Sequence, residues 1–484
     1  MQLTRLSRWL LYLGSDALGR FVLQVGSTVV FARLLAEEAF GRSALTIAWI
    51  QVLAILVCAP FEEGLVQRRV VRKAHFNACL AAALVLAGTF ITVLGAVVSM
   101  APRGSGDWAD VAVPMLVFSA ILLAEGPVAI LTAAARRSRR FQLIASGNFL
   151  GLTLGTGIGL MLAVQGAGLW SLLAVRLVAR FVLAGWLGWR IRLRFMPRWS
   201  WARLGELRHF AGWHTADRGL TVLSDAVFQS LVTAWLGAAA NGYLNMATRI
   251  IEPIRGMTGS ASHNIAMTQF SRLQESQTEL RAAMAQAVTL TSLILVPVFL
   301  GLAATSDSLI RLLAGPDWAP AVSIAVLFGV ATAFQAPFEF VHTATAARGR
   351  ADLGFYTSMF NLLILVLAFW WLNGLGVIAI GLARLGYYLA DTACALVIAR
   401  GLFRARPVRL LRGLAPAVGC GTAMALVIAA LPAGLPPGWP AAGVLALQVP
   451  LGIALFTGLV WLVARPQLRT AMTMLVNRDS GSMD

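Results

Sequence analysis

No connection longer than about 20 residues separates one apolar stretch from the next between residues 10 and 463 of this 484-residue chain. A bilayer core of roughly 30 Å takes about 20 apolar residues per helix. On that measure the sequence divides into about fourteen candidate spans, at 10–32, 42–66, 76–100, 111–134, 142–164, 168–189, 210–236, 243–267, 282–304, 319–346, 353–372, 376–399, 413–431 and 441–463. Connections this short leave no room for a soluble catalytic domain. The expected fold class is an all-α polytopic membrane protein working within the bilayer, and a composition 58% hydrophobic and 12% charged agrees.

The charges test the span count independently. Lys and Arg collect in alternate connections: Arg68, Arg69, Arg72 and Lys73; Arg136, Arg137, Arg139 and Arg140; Arg190 to Arg208; and Arg400 to Arg412. The connections between them, such as Ala101 to Asp110 and Ser306 to Trp318, are neutral or slightly acidic. By the positive-inside rule this alternation puts both termini in the cytoplasm. The formal charge of +18 then belongs to loops facing anionic membrane lipids, and nucleic acid is not an expected partner. Cys58, Cys79, Cys394 and Cys420 all lie in apolar runs without a C-x-x-C pair, so neither a disulfide framework nor a zinc site is expected. The first apolar run holds Asp16 and Arg20 and lacks a small-residue cleavage site, which favours a retained helix over a signal peptide.

The longest connection divides the chain into a first lobe at 1–190, a basic linker at 191–209, a second lobe at 210–400, two accessory helices at 413–463 and a cytoplasmic tail at 464–484. An offset of 201 residues places Asp16 on Asp217, Leu35 on Leu236, Ala39 on Ala240, Gly41 on Gly242 and Ile50 on Ile251. A parallel repeat of six helices per lobe, related by a pseudo-two-fold axis, is the expectation, with the substrate path between the lobes.

The stretch from Trp213 to His263 keeps Asp217, Arg218, Asp225, Arg249, Glu252, Arg255 and His263 in an otherwise apolar setting. A charge at the centre of a lone span is disfavoured by about 2.5–3.5 kcal/mol on insertion scales, so these groups require a polar interior. Asp217, Thr221, Ser224 and Asp225 recur at helical spacing and read either as a wet face or as acids balancing Arg218. Asn245, Arg249, Glu252, Gly256, Gly259 and His263 form one stripe, with Pro253 expected to kink the helix. Gln335, Glu339 and His342 align around Pro337. With no cation nearby in sequence, Glu339 and His342 form a candidate proton site. Arg384 and Asp391 flank Tyr387 and Tyr388, either packing or lining a cavity. Glu62 and Glu63 follow Pro60 near a cytoplasmic end, and Arg176 and Arg180 are expected to snorkel toward the basic loop. Nucleotide P-loop, H-E-x-x-H and G-x-S-x-G patterns are missing, so no enzyme activity is expected.

The runs "FARLLAEEAFGRSALTIA" at Phe31 to Ala48, "FEEGLVQRR" at Phe61 to Arg69 and "AHFNACL" at Ala74 to Leu80 resemble the polysaccharide-transporter branch of the multidrug, oligosaccharidyl-lipid and polysaccharide exporter superfamily, the Wzx-like flippases. The family's EDFG motif reads Glu38-Ala39-Phe40-Gly41 here. The resemblance implies a bundle of two six-helix lobes in the bacterial inner membrane. Such a bundle would flip an undecaprenyl-pyrophosphate-linked oligosaccharide for exopolysaccharide, capsule or lipopolysaccharide O-antigen synthesis. It also implies cavity arginines for the diphosphate, and Arg20, Arg218, Arg249 and Arg255 are the inward-facing arginines of the helical reading. Asp16, Asp217, Asp225, Glu252, Glu339 and His342 are the candidates for ion coupling or gating, with H⁺ or Na⁺ as the coupling ion and no other cofactor. A polysaccharide polymerase and other assembly proteins are the protein partners implied. The alternatives are an ion-coupled multidrug antiporter of the same fold, which an arginine-rich cavity disfavours, and a polysaccharide polymerase or ligase, which should carry a long outer loop.

Overall fold

The protein is described from a computed structural model, which covers residues 19, 23–68, 70–100, 107–191, 196–206, 213–273, 275–436 and 438–463. Among the described residues every regular element is helical. Among the described residues twelve helices are long and apolar enough to cross a bilayer, together with the shorter α1 at Leu23–Leu34. The count of fourteen is not reached by that measure for two reasons. The expected first span, 10–32, falls largely outside the described residues. The expected seventh and eighth spans run together in one 42-residue span, Thr215–Gly256.

Contacts within the chain separate two compact units, Met1–Asn245 and Met246–Asp484. The first contains α1, α2 (Glu37–Gln67), α3 (Lys73–Met100), α4 (Asp107–Phe118), α5 (Leu122–Arg137), α6 (Phe141–Val164), α7 (Leu169–Ile191), the short α8 (Trp201–Gly205) and the beginning of α9 (Trp213–Arg272). Its core is built by α2, α3, α5 and α7 through Ile50, Val57, Leu65, Cys79, Leu122, Ile130 and Leu173. Gly151 and Gly155 of α6 lie so close to α7 that a methyl group would meet the carbonyl oxygens of Ala179 and Val175 at 2.6 and 2.3 Å. Small residues at such positions let membrane helices approach backbone to backbone.

At the ends of α2 and α5 the backbone carbonyls left over by the helix are taken up by one arginine. Arg137 Nη1 donates to the carbonyls of Leu65, Val66 and Arg68 at 3.0, 3.2 and 2.7 Å. Glu206, just past α8, ties the linker to this corner. It pairs with Arg68, accepts from Arg203 Nη1 at 2.9 Å and meets His75 Nε2 at 3.1 Å, while His75 Nδ1 accepts the Arg72 amide N–H at 3.0 Å.

The second unit continues α9 and adds α10 (Gln277–Leu313), α11 (Pro320–Gln335), α12 (Glu339–Ala347), α13 (Ala351–Leu372), α14 (Val377–Phe403), α15 (Pro407–Ala430) and α16 (Ala441–Val463). Ser276 caps α10 by accepting the Glu279 N–H. The accessory helices expected at 413–463 pack on α10: Gly421 of α15 faces Val296 and Leu300, and Gln448 of α16 donates to the Ile428 carbonyl at 3.1 Å.

The two halves repeat at the level of backbone turns. The fourth span of each is interrupted by a 3₁₀ turn, at Ser119–Ile121 and at Ala336–Phe338. The turn after it uses a left-handed residue in both, Arg139 in one and Gly349 in the other. Gly168 and Gly376, both at positive φ, start the sixth helix of each half by accepting from Ser171 and Ala379.

In α9 the backbone leaves helical geometry at Gly237, with φ 86° and ψ 170°, whereas Pro253 remains inside the helix. Gly237 is what divides the helix into two segments, because that φ excludes a residue with a β-carbon. Just beyond it α9 crosses α2 within the first unit. A methyl on Gly41 would fall 1.7 Å from the Ala238 carbonyl oxygen, and one on Gly242 would fall 2.1 Å from the Glu37 oxygen. The offset of 201 that maps Gly41 on Gly242 also maps Glu37 on Ala238, so each copy offers the other the same face. That reciprocity is the mark of a local two-fold relation.

Candidate functional site

In the second unit the polar residues gather around Arg255. Its Nη1 donates to Glu252 Oε1 at 3.2 Å and to the Tyr388 hydroxyl at 3.3 Å, and its Nη2 donates to Glu339 Oε1 at 2.6 Å. The guanidinium carbon also stands 5.6 Å from the centre of the Tyr388 ring. Glu252 lies one turn before Arg255, and Glu339 is delivered by the 3₁₀ turn that ends α11 at Pro337. Two carboxylates thus match one cation. Sequence spacing had left Glu339 without a cationic partner; the fold corrects this by bringing Arg255 to it from 84 positions away.

His342, one turn after Glu339, meets a different partner. It stands 3.4 Å from Asp391 Oδ1 of α14, one turn beyond the Tyr387 and Tyr388 pair. Asp391 is 8% exposed and accepts from Gln335 Nε2 at 2.9 Å and Asn361 Nδ2 at 2.8 Å. The amide oxygens of Gln335 and Asn361 are buried without a hydrogen-bond partner among the described residues. Arg384 lies over the Phe328 and Tyr387 rings at 5.8 and 5.7 Å, so on α14 it is packed against aromatic faces. The sequence drew attention to Asp391 only as a flank of the tyrosines, and Asn361 not at all. An acid spaced i, i+3 and i+4 from two tyrosines was the readable signal.

The first unit carries a second polar patch. Arg180 Nε of α7 pairs with Glu125 Oε1 of α5 at 2.9 Å, and Arg136 Nη1 pairs with Glu62 Oε1 at 3.1 Å. Glu62, Glu125, Arg180 and Arg218 all lie within electrostatic reach of Cys58 on α2. Arg180 is the middle residue of α7 and is held by Glu125, so it does not snorkel to the basic loop as the sequence reading expected. Glu125 was missed: it is one acid beside Pro127 in an apolar span, and its partner is 55 residues away.

Of the other expected residues, Asp217, Asp225 and Arg249 are half-buried and Arg218 is exposed. Ser224 is buried with its hydroxyl on the Leu220 carbonyl, and Thr221 is spent on the Asp217 carbonyl, so the expected polar face of α9 is only partly wet. Asp16, Arg20 and the side chain of His263 lie outside the described residues.

Charged and amide side chains held inside two helical units define a class of protein that handles a polar solute in the bilayer. The solved lipid II flippase MurJ, in an inward closed conformation, superposes with a TM-score of 0.72 at 12% identity, covering 95% of this chain and 100% of that one. An inward-facing multidrug resistance MATE family transporter of the MOP superfamily follows at 0.60 and 16%, covering 81% and 96%. The fold is therefore that of these membrane transporters. A family profile described as polysaccharide biosynthesis protein matches residues 30–323, and the chain belongs to that family. Among curated relatives, the succinoglycan biosynthesis transport protein ExoT of Rhizobium meliloti (strain 1021) is 26% identical over 66% of this chain. The lipopolysaccharide biosynthesis protein WzxC of Escherichia coli (strain K12) is 22% identical over 40%. The matches span 64% and 39% of those relatives' lengths.

Proposed function

We propose that the chain is a flippase that carries an undecaprenyl-pyrophosphate-linked oligosaccharide repeat unit across the bacterial inner membrane, by alternating access, for exopolysaccharide, capsule or O-antigen synthesis. The observation that carries this reading is the family match over residues 30–323, which takes in the whole arginine-bearing patch of the first unit. A diphosphate and a sugar chain cannot enter hydrocarbon unaided, and guanidinium forks suit phosphate oxygens. The relatives named for succinoglycan and lipopolysaccharide biosynthesis support the same substrate class. Both termini face the cytoplasm in this reading, in keeping with the alternating loop charges.

Coupling is assigned to the Asp391 cage. Gln335 and Asn361 turn their N–H groups to the carboxylate, and with the two amides turned over their oxygens would join it as the hard oxygen donors that a small cation such as Na⁺ prefers. His342 beside it offers a proton site instead.

The test is translocation of a fluorescent lipid-linked oligosaccharide by the purified protein in liposomes, under imposed pH, Na⁺ and voltage gradients. Transport that follows one cation gradient and is lost in Asp391→Asn supports the reading. No translocation under any gradient, with active efflux of a cationic dye instead, sinks it in favour of a multidrug exporter.

A further inference from the structure

One stripe of α7 reads Leu172, Arg176, Arg180, Leu183 and Leu187, at steps of four, four, three and four. The leucines at both ends are buried, at 3%, 2% and 0% exposure, against the core of the first unit. The arginines between them are not covered: Arg176 is exposed and the Arg180 side chain is 43% exposed. The lipid side of the helix lies elsewhere, about 120–180° round from Arg176, where Trp170, Phe181 and Gly185 are exposed. A stripe covered at its ends and open in its middle, on the core side of a helix, is an indentation in the unit. Two guanidiniums line it.

Depth excludes a simple interfacial role. Arg180 sits about 16 Å from either end of α7, and Arg176 about 22 Å from the Ile191 end. Glu125, 14% exposed, satisfies Arg180. Arg176 forms no hydrogen bond or ion pair with any described residue, and feels Arg180 as a like charge and Glu125 as an opposite one. Among the described residues the stripe therefore sets two arginines against Glu125, with Glu62 beyond it held by Arg136. An arginine held at mid-membrane without a counter-ion among the described residues marks a place where an anion arrives.

We propose that Arg176 and Arg180 receive the diphosphate of the lipid-linked substrate, with Glu125 as a resident counter-ion that the diphosphate displaces from Arg180. This rests on the flippase reading and names the residues that bind its head group. Glu125 keeps Arg180 paired in the absence of substrate and competes with the diphosphate for it, which favours release. The chemistry recognised is a phosphate-class anion; substrate diphosphate and anionic phospholipid are its two sources, and the test separates them.

The full-length protein in nanodiscs of zwitterionic lipid is titrated with undecaprenyl diphosphate, and separately with phosphatidylglycerol, with binding read by native mass spectrometry. Arg176→Gln carries the test because it orphans no partner among the described residues. It is expected to weaken diphosphate-lipid binding about ten- to a hundredfold, with Arg176→Lys recovering part of the loss and Glu125→Gln tightening binding. The melting temperature of each variant checks that it is folded. Wild-type affinity in a folded Arg176→Gln protein overturns the assignment while leaving the flippase reading intact. Equal binding of phosphatidylglycerol and its equal loss in Arg176→Gln overturns it in favour of a phospholipid site. Failure of the wild-type protein to bind undecaprenyl diphosphate at all removes the flippase reading, and this inference with it.

Discussion

Replacing Gly41 by alanine is a severe test of the α2 and α9 crossing, because both sides of the contact are backbone. The new methyl would lie 1.7 Å from the Ala238 carbonyl oxygen and 2.9 Å from the Gly242 nitrogen, and real β-carbons do not come closer than 3.0 Å. The helices must open there by about 1.3 Å, since no side chain can rotate away. Opening by that amount also carries Asn241 Nδ2 beyond hydrogen-bond reach of the Gly41 carbonyl, now 2.8 Å away in a fully buried setting. Overpacking at the upper end of its range and one lost buried hydrogen bond together cost about 3–4 kcal/mol. For a unit of this size that is a fall of about 10 °C in melting temperature.

Gly242→Ala meets Glu37 at 2.1 Å and should cost less. The double variant should cost less than the two singles together, because the first methyl already opens the space needed by the second. Gly157 of α6 has nothing within 4 Å of a would-be β-carbon and serves as the control, where alanine should be neutral or stabilising by up to about 1 kcal/mol. Melting curves in detergent, followed by size-exclusion recovery after heating, measure all four. If Gly41→Ala melts with Gly157→Ala, or if the double variant is strictly additive, the reciprocal crossing is wrong.

Two further outcomes follow from the charge networks. The His75 hydrogen bond, with Arg68 and Arg203 alongside, holds the Glu206 carboxyl below its ordinary value of 4.5. A carboxylate depressed in the fold stabilises it above that value and loses the effect as pH falls through the lowered one. Wild type should therefore melt above Glu206→Gln from pH 7 down to about pH 5, and the difference should shrink progressively as pH falls below 4.5. Arg255→Met leaves Glu252 and Glu339 facing each other without their cation, so its melting temperature should fall. Adding Glu252→Gln and Glu339→Gln should restore most of the loss, an outcome that simple loss of side-chain packing would not give.

The spans were legible because hydropathy is a local property: twenty apolar residues announce a crossing whatever lies beside them. The repeat was legible where it had to be strict, at Gly41 and Gly242, since only glycine survives that approach. Partnerships were not legible. Glu339 and His342 are three residues apart on one helix and look like a pair, yet each meets a partner that the sequence spacing does not show, Arg255 for Glu339 and Asp391 for His342. Arg176 and Arg180 looked like snorkelling cations because their sequence neighbours are basic. Which side of α7 they occupy is set by Leu183 and Leu187 burying against Val128 and Leu131 of α5, a contact no local pattern reveals.

The repeat shares a backbone plan but not a charge plan. Position 241 shows the divergence in miniature: Asn241 donates to the Gly41 carbonyl, while its counterpart at offset 201 is Phe40, which is fully buried and has no polar atom to return the bond. The same divergence is larger in the polar patches. In the first unit Glu125 pairs with Arg180 of α7, and Arg176 stands within reach of both. In the second, Arg255 stands between two glutamates, and Asp391 draws in two amides and a histidine. One scaffold thus carries two different polar linings, arginine-rich in the first unit and rich in acids and amides in the second. If the first receives an anion and the second a cation, as proposed above, each ligand meets a different set of groups and can bias the same conformational equilibrium by its own differential affinity.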